Sequence, residues 1–194
     1  AREGRLTVIE KDARKVKWET VLAEAGAETP AMIIANLPYN VGTILLIDWL
    51  KAGAWRGEMA LMFQKEVAQR ICADPGTEHY GRLAVLAHAV TRPHIAFTLP
   101  PGAFKPPPKV DSAVAVLDPL PESEQFPHLD KLEQVAGAAF GQRRKMLRAG
   151  LKPFAKKHGL KAEDWLKELG IDPTARAETL TQEEFRRMAA SLVK

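Results

Sequence analysis

Between Leu6 and Leu120, short runs of strand formers alternate with runs of helical character, and after Leu120 no further strand candidate occurs. This change of pattern constrains the fold more than any other feature. Alternation of the first kind predicts an α/β sheet with helices on its faces, and the second part predicts a small all-helical appendage. Strands are expected over "RLTVIEKDA", ending at Asp12, and over Met32–Ala35. They are also expected at the start of "EMALMFQKEVAQRI" and over "HIAFTLP" and "SAVAVLDPL". "TILLIDWLKAG" reads as a helix ending at Gly53, residues 17–28 as a short helix or loop, and "RLAVLAHAV" as a buried helix or strand that periodicity does not separate. The breaker-rich stretch "DPLPESEQFPHLD" precedes helices expected near 129–149, 161–169 and 181–193, with "GIDPTARAE" as a turn between the last two. The domains expected are therefore 1–120 and 129–194.

Charge divides along the same line. Residues 1–128 hold 14 Lys and Arg against 15 Asp and Glu, and residues 129–194 hold 14 against 9. Between Glu133 and Glu163 there is no acid at all, while the window carries Arg143, Arg144, Lys145, Arg148, Lys152, Lys156, Lys157 and Lys161. A solvated helical face usually interleaves acids, so this stretch predicts contact with a polyanion. One cysteine, Cys72, excludes an internal disulfide framework, and five scattered histidines lack metal-ligand spacing. No apolar stretch has the length of a membrane span. A cytoplasmic, monomeric protein without metal or membrane partner is the expectation. No G-x-G stretch follows any strand, and the chain opens almost directly on a strand, so it is expected to be a fragment of a longer doubly wound protein.

The strand Met32–Ala35 is bounded by Pro30 before it and by Asn36 and Pro38 after it, and it reads as a buried parallel strand. Ligands of open α/β sheets sit beyond such strand ends. Asn36 offers an uncharged acceptor, Pro38 a backbone carbonyl in a fixed direction, and Tyr39 a ring on which a base stacks. Two acceptors and a ring suit a planar amine. Gripping its hydrogens favours a pyramidal nitrogen with a free lone pair, which is stabilisation by fixed dipoles rather than by a base. Asn36 cannot take the proton, which leaves to water. The arrangement fits alkylation of an adenine amino group by a sulfonium donor.

Six strings, "ANLPYN", "MFQKEVAQRI", "YGRLAV", "PPGAFKPPPKVDSAV", "FGQRRKMLR" and "GIDPTARAETL", occur in one order along nearly the whole chain. Together they closely resemble the KsgA family of small-subunit rRNA adenine dimethyltransferases. The resemblance implies a partial Rossmann-like class I methyltransferase sheet followed by a helical, basic rRNA-binding domain. It implies S-adenosyl-L-methionine as cofactor and dimethylation of two adjacent adenosines near the 3′ end of small-subunit rRNA, within an immature small subunit. Carried over residue by residue, the catalytic turn is Asn36, Leu37, Pro38 and Tyr39, and Phe104 clamps the flipped target base. Asp12, Ala13 and Asn36 fall at the cofactor, with Glu10 a weaker second to Asp12. Arg143, Arg144, Lys145, Arg148, Lys152 and Lys156 fall at the RNA. The family's opening "GQNFL"-like residues, glycine-rich loop and ribose-binding Glu have no counterpart here, so cofactor binding by this chain is expected to be weak or absent and the chain itself inactive.

Other readings compete. An Erm-type large-subunit rRNA methyltransferase carries Asn-Ile-Pro-Tyr or Asn-Ile-Pro-Phe and lacks the "GIDPTARAE" segment. A mitochondrial transcription-factor relative diverges in the loop holding Phe104. A non-catalytic RNA-binding assembly factor fits the missing cofactor loop and not the intact turn. Asp12 could be only a helix N-cap, Phe104 a core residue, and "PPPK" a polyproline ligand. Gln64, Lys65 and Glu66 could orient the loop, contact RNA or cap a helix. Tyr80, Gly81 and Arg82 match the family with no derivable role, and Cys72 reads as an inert thiol.

Overall fold

The computed structural model describes residues 6–38 and 40–193. Its sheet has four strands: β1 (Ala31–Asn36), β2 (Arg56–Gln64), β3 (Thr91–Leu99) and β4 (Ser112–Pro119), in the order β1-β2-β4-β3. β1 runs parallel to β2, and β4 runs antiparallel to both β2 and β3. Helices α1 (Trp18–Glu24), α2 (Gly42–Leu50), α3 (Lys65–Ile71) and α4 (Arg82–Val90) accompany the strands. "RLAVLAHAV" is thus a helix; nearly every one of its residues is buried, so no apolar stripe marks its period.

One face of the sheet forms the core. Met59, Leu61, Phe63, Ala113, Ala115 and Leu117 alternate inward on β2 and β4, which pack against α3, while α4 lies against β3. The other face is open, with Met32 and Ile34 of β1 58% and 76% exposed and Phe97 of β3 54% exposed. This corrects the expectation of a buried parallel strand over Met32–Ala35: β1 is an edge strand with one face bare.

The expected strand over "RLTVIEKDA" does not form within the described residues. Leu6 and Val8 carry the right alternation but are largely exposed, and no neighbouring strand offers them a ladder. Asp12 closes no strand. It caps a 3-10 turn over Ala13–Lys15, its carboxylate accepting from the Arg14 amide at 3.1 Å.

The helical part comprises α5 (Leu129–Phe140), α6 (Leu147–Gly150), α7 (Lys152–Lys157), α8 (Ala162–Glu168) and α9 (Gln182–Ala190). The single helix expected over 129–149 is broken. α5 ends at Phe140, a turn over Gly141–Lys145 follows, and α7 starts at Lys152 with Pro153 in its first turn. α9 starts with a capping box in which the Thr181 hydroxyl accepts from the Glu184 amide and the Glu184 carboxylate accepts from the Thr181 amide.

The two segments share one continuous core. Phe140 stacks on Phe185 at 5.6 Å, and the Tyr80 ring meets Phe140 edge-on at 5.8 Å. Arg186 of α9 donates to the carbonyls of His88 and Ala89 at the end of α4, where orphaned carbonyls favour a cation. Lys51, just past α2, pairs with Asp130 at 2.6 Å and Glu133 at 2.7 Å of α5. The helices are therefore set firmly against the sheet whose strand ends carry the site.

Candidate active site and nucleic-acid face

β1 ends at Asn36, whose ladder partner is Met62. The next residue, Leu37, donates its amide to the Met62 carbonyl at 3.4 Å and is only 6% exposed, which anchors the turn in the core. The Pro38 carbonyl then accepts from the amides of both Val41, at 3.2 Å, and Gly42, at 3.0 Å, starting α2. A carbonyl oxygen has two lone pairs, and both are in use. Pro38 therefore does not offer the free acceptor expected from the sequence. The Leu37 carbonyl does: no amide among the described residues donates to it.

Opposite this turn lies the loop between β3 and β4. Pro101–Ala103 form a 3-10 turn, Phe104 follows, and Pro106–Pro108 complete a rigid rim. Its far end is fastened by the Lys65 amide donating to the Asp111 carbonyl at 2.9 Å and by the Lys65–Asp111 ion pair at 3.6 Å. Turn and loop enclose a cavity of about 450 Å³. Asn36, Leu37 and Pro38 of the turn, Met62 and Phe63 of β2, and Phe104 with the three prolines of the loop line it. Phe104 is half-buried and faces this space. The structure thus brings Asn36, Leu37, Pro38 and Phe104 together; Tyr39 lies outside the described residues. Met62, Phe63 and Ser112 also line the cavity and escaped sequence reasoning, although the alternation in "EMALMFQ" already put Met62 two residues from Gln64 on one strand face.

A second, apolar cavity of about 330 Å³ meets the first at Leu37. Ala13, Ala35 and Leu37 line it together with Trp18, Trp49 and Trp55. Asp12 is not part of its lining. The Asp12 carboxylate is held by the Arg14 guanidinium at 2.7 and 3.0 Å, which lowers its pKa to about 2.

The basic residues separate into two groups. Arg143 is committed internally, donating to the Glu178 carboxylate at 2.9 Å and to the Glu78 carbonyl at 2.8 Å. Arg144 and Lys145 are exposed on the turn before α6, with no ion pair among the described residues. Arg148, Lys152 and Lys156 converge with Lys161 around a groove of about 560 Å³ floored by Leu160 and Ala162. Glu163 on its rim pairs with Arg148 at 3.8 Å and Lys167 at 2.8 Å, and these cations lower its pKa. Three of the four groove cations have no ion pair among the described residues.

No group of His, Cys, Asp and Glu among the described residues could hold a metal ion, and no described helix is long and apolar enough to cross a membrane.

The profile of a family described as "Ribosomal RNA adenine dimethylase" matches residues 1–194. The ribosomal RNA small subunit methyltransferase A of Agrobacterium fabrum is 52% identical over 193 residues, which are 97% of this chain and 66% of that protein. Its namesake from Maricaulis maris is 47% identical over 187 residues, 96% of this chain and 64% of the relative. The chain therefore spans slightly less than two thirds of the length of these relatives. Among solved structures, a dimethyladenosine transferase from Plasmodium falciparum superposes with a TM-score of 0.71 at 24% identity, over 81% of this chain and 64% of that one. The 23S rRNA methyltransferase ErmE gives 0.52 at 20% identity, over 93% and 79%. Both show a shared fold, that of class I methyltransferases. With a family profile matched from end to end and relatives about half identical over nearly its whole length, the chain belongs to the ribosomal RNA adenine dimethylase family.

Proposed function

We propose that this chain is the target-adenine and RNA-docking part of an S-adenosylmethionine-dependent enzyme. Its reaction is dimethylation of the amino groups of two adjacent adenosines near the 3′ end of small-subunit rRNA, during small-subunit biogenesis. The observation that carries this reading is that Asn36, Phe104 and Leu37, whose carbonyl accepts from no amide among the described residues, line one cavity.

An adenine flipped into that cavity meets two acceptors on one side and an aromatic face on the other. The Asn36 side-chain carbonyl takes one amino hydrogen and the Leu37 backbone carbonyl the other, which leaves the nitrogen lone pair free. Phe104 and the prolines cover the base and exclude water, and stacking of this kind contributes about 1–3 kcal/mol per base. Tyr39, next to Pro38 in sequence, supplies a second ring. No described residue lining the cavity titrates, so the proton lost from the amine passes to solvent rather than to a side chain.

The cofactor, when bound, supplies an electrophilic methyl group on a sulfonium centre. The residues present fit one end of it. The apolar cavity at Ala13, Ala35 and Leu37 suits a flat base and adjoins the target cavity at Leu37. Its lining offers no charged group for an amino-acid carboxylate or ammonium, and the Asp12 carboxylate is turned to Arg14. The 194-residue chain thus contributes the acceptor side and little of the donor side. The exposed cations of the groove and of the preceding turn hold rRNA phosphates, mainly by charge and shape.

The test is mass spectrometry of rRNA from unmodified small subunits treated with a full-length family member carrying this sequence. N6,N6-dimethyladenosine at two adjacent positions is expected, with loss of the product in Asn36→Ala. Retained product in that variant, or modification of large-subunit RNA instead, refutes the reading. Robust methyl transfer by the 194-residue chain alone contradicts the incomplete donor side.

A further inference from the structure

A polar cleft of about 390 Å³ adjoins the target-base cavity across the neck of the Phe104 loop, and the mechanism above leaves it unused. Gln64, Lys65, Glu66, Gln69, Val110 and Asp111 line it. The two spaces are connected by structure. Ser112 lines the base cavity, its neighbour Asp111 lines the cleft, and Gln64 is the ladder partner of Ser112. Met62 in the base cavity and Gln64 in the cleft lie two residues apart on β2, about 7 Å by strand geometry. That is the reach of one nucleotide along an extended strand.

The cleft is chemically specific. The Lys65 ammonium is paired with Asp111, and with Glu66 the lining carries one cation against two carboxylates. Such a net charge repels a phosphate. A base edge is a better match. The side chains of Gln64, Glu66 and Gln69 make no hydrogen bond to other described residues, and Val110 presents an apolar surface that is 45% exposed. The Gln64 amide offers a donor beside an acceptor, the pattern that pairs in bidentate fashion with adenine, and the Glu66 carboxylate adds an acceptor for an exocyclic amine. A uracil carbonyl in the same place would meet the Glu66 carboxylate with its own lone pairs.

We propose that this cleft holds the base of the nucleotide adjacent to the target, an adenine, with Gln64 and Glu66 reading its amino-bearing edge. The inference rests on the proposed function, because it needs the base cavity to hold the target adenosine. It gives the enzyme a physical reason to act on paired adenosines: while one occupies the catalytic cavity, the other is read in the cleft.

The test uses the 194-residue chain and short single-stranded RNAs with a central adenosine pair, each adenosine replaced in turn by uridine, with affinity read by fluorescence anisotropy. The unaltered chain should lose roughly tenfold in affinity on either replacement. Asn36→Ala should abolish the discrimination at one position, and Gln64→Ala combined with Glu66→Ala should abolish it at the other. Circular dichroism of each variant checks that the fold is kept. If the Gln64/Glu66 variant discriminates like the unaltered chain while Asn36→Ala loses one position, the cleft assignment is wrong and the base-cavity reading survives. If Asn36→Ala changes neither position, or the unaltered chain shows no preference for the adenosine pair, both fall.

Discussion

The Pro38 carbonyl takes the Gly42 amide at 3.0 Å, so the residue that ends the Asn-Leu-Pro turn is also the residue on which α2 starts. Turn and helix are thereby tied together, and in the proposed mechanism this occupancy leaves the role of second acceptor to Leu37. Gly42 is fixed by close approach as well: a Cβ placed there would lie 3.1 Å from the Phe63 ring and 3.2 Å from the Leu37 Cβ. Both neighbours line the base cavity.

Gly42→Ala is accordingly expected to cost about 1–3 kcal/mol of stability, the usual range for overpacking. The displaced Leu37 and Phe63 should also weaken binding of adenosine-containing RNA. Chemical denaturation and anisotropy measure the two effects, and an alanine variant equal to the unaltered chain in both would show that the contact is slack.

Much of this was legible in the sequence. The Asn36–Pro38 turn and the acid-free basic window stand out by residue type, whereas Phe104 in its proline-rich loop stands out only through the family resemblance. What was not legible depends on neighbours. Whether Leu6–Ile9 form a strand is decided by a partner strand, and none pairs with them among the described residues. Which carbonyl of the turn stays free is decided by Val41 and Gly42 reaching back to Pro38. Arg143 looks like its neighbour Arg144 in sequence, and only the fold brings Glu178 and the Glu78 carbonyl to it.

That distinction predicts opposite phenotypes for two sets of basic residues. Lys152→Glu with Lys156→Glu should weaken RNA binding at least tenfold near 0.1 M salt and flatten the log-log salt slope by about 1.5 to 2. Arg143→Ala should instead cost about 1 kcal/mol of stability, little because the pair is partly exposed, and leave the salt slope unchanged. Titrations at several salt concentrations separate the two, and an altered slope in Arg143→Ala would return that residue to the RNA face.

His88 predicts a pH dependence of stability. Burial lowers its pKa from the ordinary value near 6.5, with Asp74 pulling weakly the other way, and its Nε2 is buried without a partner among the described residues. With the folded-state pKa below the unfolded one, the folded form binds fewer protons in that window. Stability is then full above pH 6.5 and falls as pH drops toward the folded-state value. Melting curves between pH 7.5 and 5 should show this decline, and His88→Gln should flatten it. An equal decline in the variant would assign the effect to other groups.

The Cys72 thiol is pushed up to about 12, first by burial and then by Asp74. It should alkylate far more slowly in the folded chain at pH 8 than after denaturation. Labelling rates read by mass spectrometry check this, and rapid modification of the folded chain would show that the thiol is open to solvent.

The central claim is that Asn36 grips the amino group of the target adenine, and a double-mutant cycle between that side chain and that amine tests it without any methyl donor. The 194-residue chain and its Asn36→Ala variant are titrated with RNA carrying either adenosine or purine riboside, which lacks the amine, at the target position. Removing the amine should weaken binding to the unaltered chain by about tenfold and to Asn36→Ala hardly at all, a coupling of about 1–1.5 kcal/mol. Equal losses in both proteins, with no coupling, would contradict it.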